Sequence, residues 1–178
     1  SFAYLCDEKF RDGLVERGDD PDEMAELFAT VISRSISGRP EDFTVTTHMC
    51  RGNFQSTWMT EGGYEPVADM MFDQLDVDGY FMEYDSERAG DFEPLKFVRD
   101  DQIIVLGLIS TKIPELECKD EIMKRLEEAT KYVSIEKLCL SPQCGFSSTH
   151  HGNNLTMDDQ KRKLDLVVDI AHDTWGDA

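Results

Sequence analysis

The stretch "QIIVLGLIS", residues 102–110, sets six Ile, Val or Leu residues among nine, with no polar residue between Ile103 and Ile109. A helix uses one apolar stripe and a half-exposed strand alternates, but this run does neither. Its length and β-branched content fit a strand covered on both faces, the situation of a strand in a parallel sheet flanked by helices.

Working outward, each neighbouring segment reads as the partner such a strand needs. Downstream, "CKDEIMKRLEEATKYV" (118–133) has helical spacing, "EKLCLS" (136–141) is a short strand, and "TMDDQKRKLDLVVDIAHDTWG" (156–176) is an amphipathic helix capped by Thr156. Upstream, beyond an irregular loop, lie the strand "DGYFMEY" (78–84), the helix "GGYEPVADMMFDQL" (62–75) and the strand "FTVTTHM" (43–49). Before them, "DDPDEMAELFATVISRSISG" (19–38) predicts a helix. It has an acidic cap, Pro21 in the first turn, Met24, Leu27, Phe28, Val31 and Ile32 at helical spacing, and Gly38 as stop.

Strand and helix thus alternate four times, at roughly 30 to 35 residues per unit, the size of a βα module. The expected class is parallel α/β, with residues 1–178 forming one domain, since no linker or composition break divides them. Four parallel strands alone leave two bare edges, which proteins seldom tolerate. The chain also opens on a loop and helix with no strand before it and no initiator Met. The expectation is therefore about four βα units of a (β/α)8 TIM barrel, a C-terminal half-barrel or a unit that pairs to make a whole one.

Composition removes several functions. Thirty-seven acidic against 18 basic residues give a net charge of −19, which argues against nucleic acid or an anionic membrane surface as partner. No stretch approaches the roughly 20 apolar residues of a membrane span. The opening "SFAYLCDEKF" lacks the basic start and apolar core of a signal peptide, so the expected location is cytoplasmic. Cys6, Cys50, Cys118, Cys139 and Cys144 are odd in number and irregular in spacing, which leaves free thiols or a metal rather than a disulfide framework.

In "THMCRGN" (47–53), His48 and Cys50 project to the same side at the carboxyl end of the first strand, where barrels and open α/β sheets place their sites. A buried cysteine beside a hydrogen-bonded histidine would look the same. Glu83 ends the second strand, and Cys144 follows the last one in the Pro and Gly turn "LSPQCGF" (140–146). Singly, Glu83 reads as a cap, a salt-bridge partner or a solvated loop carboxylate, and Cys144 equally as an inert or a reactive thiol. Together the four lie at strand ends that the fold brings to one mouth. One imidazole, two thiolates and a carboxylate suit tetrahedral Zn²⁺. Drawing ligands from three distant segments, with no C-x2-C pair, favours a working centre over a structural staple.

These motifs also carry a resemblance. "THMCRGNF" (47–54), "EY" after an apolar strand, and "SPQCGF" (141–146) resemble the H-x-C, Glu and Cys motifs of the cobalamin-independent methionine synthase catalytic domain, from about Phe2 to Trp175. "VLGLISTKIPELE" (105–117) and "GNNLTMDDQKRKLDLVV" (152–168) are similar to its shorter, single-domain relatives. The resemblance implies that His48, Cys50, Glu83 and Cys144 bind Zn²⁺ and that the metal binds the thiol of homocysteine. It implies a methyl-folate as the other substrate, a 5-methyltetrahydrofolate usually with a glutamate tail, giving methionine and tetrahydrofolate. It also implies that four earlier strands, with an acidic segment that helps hold substrate, fall ahead of Ser1. The other wall of the pocket is then expected from the missing N-terminal half-barrel or from a second copy.

Other candidates have two readings each. Thr111 and Lys112, at the end of the third strand, are placed to meet a substrate carboxylate, and Lys112 reads equally as a surface lysine. His150 and His151 form a polar loop that could reach the site mouth. Trp58, Tyr64 and Phe92 could line a flat pterin pocket or anchor core and loops. Cys118, Cys139 and Cys6 read as packing or incidental thiols, and His172 as exposed or packed on the last helix. Competing functions are a zinc hydrolase, against which the two cysteines and the lack of an H-E-x-x-H helix count, and a zinc-binding or assembly module without turnover.

Overall fold

The structure, a computed structural model, describes residues 2–176. Four strands, β1 (Thr46–Met49), β2 (Gly79–Glu83), β3 (Ile103–Ile109) and β4 (Leu138–Pro142), form one parallel sheet whose spatial order is the chain order. The helices are α1 (Glu8–Glu16), α2 (Pro21–Ile36), α3 (Ala68–Gln74), α4 (Lys119–Ala129) and α5 (Met157–Trp175). This is the α/β architecture expected of βα units.

Helix starts follow local chemistry. The Asp20 carboxylate accepts from the Asp22 and Glu23 amides ahead of Pro21. Thr156 and Asp159 satisfy each other's amides in a capping box at α5. The segment expected to be helical from residue 62 becomes so only at Ala68. Gly62 sits at φ +113° and Pro66 follows, both unsuited to a helical turn there. Residues before α2, expected as loop, hold a 3-10 turn at Phe2–Cys6 and then α1, capped by Asp7. The connection from β2 to β3 has two 3-10 turns, Glu87–Ala89 and Glu93–Phe97, in place of a helix.

One sheet face carries the core. Tyr80, Met82, Ile104, Leu106 and Leu138 are buried in one cluster with Ala25, Ala29, Met71, Phe72, Ile122, Leu126 and Ile170 from the helices. The opposite face is open. The register aligns His48, Phe81, Val105 and Cys139 in one row, with Phe81 39% exposed and Ile103, one row down, 38% exposed. The run 102–110 is therefore buried on both faces only from Leu106 onward, because nothing among the described residues covers its earlier ones. The two outer helices show the same incompleteness. Leu27 and Val31 on α2, and Leu164 and Val168 on α5, are exposed apolar pairs one turn apart. Among the described residues, no helix is long and apolar enough to cross a membrane.

Candidate metal centre

β1 delivers His48 onto the open face and Cys50 just past its end. The chain then turns sharply at Gly52 (φ +98°), and the Met59 and Thr60 amides close the loop onto the Arg51 carbonyl. Arg51 is fully buried. Its guanidinium donates to the Gly62 carbonyl at 2.5 and 2.9 Å and to the Tyr64 hydroxyl at 3.1 Å, and lies 4.3 Å from the Tyr64 ring centre. Its own amide donates to Glu83 Oε2 at 2.7 Å. Arg51 thus fixes where Cys50 stands, a role the residue's position beside a ligand motif could have suggested.

Cys144 arrives from the other end of the sheet. The pairing of β3 with β4 shifts register between Gly107 and Ile109, and Cys144 follows in the left-handed region at φ +55°. The Gln143 amide donates to the Ile109 carbonyl at 2.7 Å, and the Gln143 carbonyl accepts from Thr111 Oγ1 at 2.5 Å. With the backbone so pinned, Cys144 Sγ stands 3.5 Å from His48 Nε2. One ligand atom each from His48, Cys50 and Cys144 lie within 4.8 Å of one another. They border a cleft of about 570 Å³, shared with Asn53, Phe81 and Gln143.

The two thiols are driven apart in acidity. The Cys144 hydrogen bond, helped by His48, brings Cys50 down to about 4, while burial works against it. Cys144 is correspondingly pushed up, by that same bond and by burial. His48 is raised, chiefly through its bond to Cys50. An imidazole beside a thiolate, half-buried and open to a cleft, is a donor set that fits zinc.

Glu83, expected as the fourth member, is not among the three residues whose ligand atoms lie within 4.8 Å of one another; it is fully buried and linked to Cys144 through Gln143 Nε2. Its Oε1 accepts from Arg88 at 2.7 Å, with Lys112 Nζ at 3.7 Å, and both cations also pair with Asp85. Its Oε2 faces neutral donors, the Arg51 amide and Gln143 Nε2 at 3.4 Å. Lys112 is 4% exposed, so the surface-lysine reading is corrected by two carboxylates that draw it inside. Thr111 is buried and committed to Gln143 and Asn53. His150 is exposed, stacked on His151 at 3.7 Å, which in turn meets Phe54. Of the proposed aromatic lining, Tyr64 and Phe92 belong to the core. Trp58 stays 46% exposed with Arg88 over its ring. Cys118 and Cys139 are exposed and Cys6 is buried, all apart from the cluster.

A family model described as the catalytic domain of cobalamin-independent synthase matches residues 6–173. The protein YxjG of Bacillus subtilis, whose function is uncharacterized, is 52% identical over 98% of this chain and 47% of its own length. A Bacillus licheniformis protein named 5-methyltetrahydropteroyltriglutamate–homocysteine methyltransferase is 25% identical over 78% of the chain and 17% of its own length. A Listeria monocytogenes crystal structure, provisionally described as a vitamin-B12-independent methionine synthase, superposes with a TM-score of 0.68 at 33% identity. That superposition covers 99% of this chain and 46% of the other. The chain thus spans about half the length of YxjG and of the Listeria protein.

Proposed function

Because the chain belongs to the cobalamin-independent synthase catalytic-domain family, we propose that it carries the metal centre of a zinc-dependent thiol methyltransferase. That enzyme moves the methyl group of a 5-methyltetrahydrofolate to homocysteine. The observation that carries the reading is the meeting of His48, Cys50 and Cys144 beside an open cleft. Glu83 is the proposed fourth ligand. What supports it is the division of its carboxylate, one oxygen held by cations and the other facing the Cys144 turn through neutral donors.

When bound, zinc supplies the acidity that removes the proton of a thiol near neutral pH. Cys50, Cys144 and Glu83 would contribute three negative charges against one neutral imidazole, surroundings that keep a substrate sulfur electron-rich. Such a sulfur forms its bond to the methyl carbon as the carbon–nitrogen bond of the folate breaks, and the nitrogen takes up a proton. Arg51, Gln143 and the Arg88–Lys112 pair hold the ligand side chains in place, the orientation that such a displacement depends on.

The rest of the protein has a defined task in this reading. The open row His48, Phe81, Val105 and Cys139, the bare edges of β1 and β4, and the apolar pairs on α2 and α5 support closure of a barrel by the remaining half or by a second copy. Homocysteine and the folate would bind between the two halves.

The test is metal analysis and zinc-edge X-ray absorption of the full-length protein with and without homocysteine. One zinc per chain, gaining a sulfur neighbour when homocysteine is added, is the expected result. A centre that gains no sulfur, as in a hydrolase, would overturn the methyltransferase reading.

A further inference from the structure

Gln143 touches two of the proposed ligands at once. It is 2% exposed, and its Nε2 lies 3.1 Å from Cys144 Sγ and 3.4 Å from Glu83 Oε2. A primary amide carries two N–H donors on that nitrogen, so it can serve both acceptors together. Its main chain is held on both sides, by the Ile109 carbonyl and by the Thr111 hydroxyl.

The sheet makes room for this arrangement. A Cβ placed on Gly107 would come within 2.3 Å of Gln143 Oε1 and 3.4 Å of Gln143 Cα. The Gln143 side chain therefore takes the space over a strand position that has no side chain. The register shift just beyond Gly107 turns the β4 end so that the amide points at the sulfur. A residue that merely filled space would not need an amide nitrogen within reach of a thiol and a carboxylate.

We infer that Gln143 is a positioning residue for the metal centre, orienting Cys144 and Glu83 together and tuning the Cys144 sulfur by an N–H···S hydrogen bond. The inference rests on the reading of the cluster as a metal centre. An N–H donor on a thiolate withdraws charge from it and fixes the direction of its lone pairs. On a carboxylate oxygen it limits rotation of the group. Outer hydrogen-bond partners of this kind orient metal ligands and set the properties of the metal they hold.

Three variants of the full-length protein decide the matter: Gln143→Met, which keeps length and loses both donors, Gln143→Asn, which keeps an amide one methylene too short to serve both acceptors, and Cys144→Ser. Zn²⁺ affinity is measured by competition with a chromophoric chelator, and the thiolate-to-metal absorption band is recorded with Co²⁺. Loss of the amide is expected to weaken Zn²⁺ binding by about 10- to 100-fold. It should also move the Co²⁺ band to longer wavelength, since a sulfur without its hydrogen bond gives up an electron more easily. Cys144→Ser should lose the band's Cys144 contribution and most of the affinity.

Wild-type affinity and an unmoved band in the Gln143 variants, with binding lost in Cys144→Ser, would overturn the role of Gln143 and leave the centre standing. Undiminished binding in Cys144→Ser would instead overturn the centre itself. Should the Met variant fail to fold, the Asn variant, which keeps an amide and adds no charge, gives the decision.

Discussion

His48 Nε2 and Cys144 Sγ stand 3.5 Å apart although they issue from the two opposite edges of the sheet. In a flat sheet, three strand spacings of about 4.8 Å would separate β1 from β4 by about 14 Å. Side-chain reach and the turn beyond β4 close that gap over the open face, and a metal held by these residues would clasp one edge to the other.

That clasp has a measurable consequence. Zn²⁺ at a hundred times its dissociation constant should stabilise the full-length protein by about 2.7 kcal/mol. A chelator should remove the gain. Thermal denaturation of wild type, His48→Ala and Cys144→Ser, each with and without the metal, checks this, and only the wild type should respond fully.

The unequal thiols predict selective chemistry. The bond from Cys144 brings Cys50 well below the usual thiol range, so it ionises ahead of an ordinary cysteine, whereas burial pushes Cys6 up to about 12. After chelation at pH 6.5, iodoacetamide should label Cys50 and leave Cys6 untouched. Added Zn²⁺ should protect Cys50. Peptide mass analysis reads both results.

On the α5 side, Lys163 is fully buried, and its Nζ meets both Glu117 oxygens at 2.9 and 3.0 Å and the Glu115 carbonyl at 2.5 Å. Glu117 in turn accepts from the Ser110 amide at the end of β3. Lys163→Ala should cost about 3 kcal/mol, since one partner of a buried pair is left uncompensated. Lys163→Ala combined with Glu117→Gln should cost less than the two losses added, which a double-mutant cycle in urea measures.

Acid sensitivity should come in part from the α5 cap. Bonds from Thr156, and then Arg162, bring Asp159 from 3.8 down to about 2. A depressed carboxyl stabilises the fold where the unfolded group is already ionised, so this contribution is present above pH 4 and is lost as pH falls through about 2. Thr156→Ala should flatten that acid limb of the stability profile, besides the loss of about 1 kcal/mol that removing a cap brings.

The exposed pairs Leu27/Val31 and Leu164/Val168 distinguish a closed barrel from an open half. Where a further half-barrel or a second copy covers them, as proposed, single Lys substitutions there should lower stability as core changes do. In residues 1–178 by themselves, the same substitutions should reduce self-association, measured by sedimentation.

The parts of this fold that could be read in the sequence are those written locally. The apolar runs gave β3 and β2, and Asp20, Pro21 and Thr156 marked where helices begin. The i, i+2 pair His48 and Cys50 and the turn at Cys144 are also local signals. The surroundings of Glu83 are not, because Arg51, Arg88, Lys112 and Gln143 come from four segments that meet only in the folded sheet. Lys112 shows why: its neighbours in sequence do not reveal that Glu83 and Asp85 wait above it. The open face of β3 was hidden for a different reason, since a run that expects cover on both sides looks the same whether or not this chain supplies it.

Chain order and spatial order coincide in the sheet, so during synthesis each strand can dock on one that has already emerged. His48 and Cys144, however, are 96 residues apart. A nascent chain can thus acquire most of its wall before both residues are present. On the proposed zinc reading, metal capture would be a late event, completed only once β4 is in place, and a product truncated before β4 would fail to retain zinc.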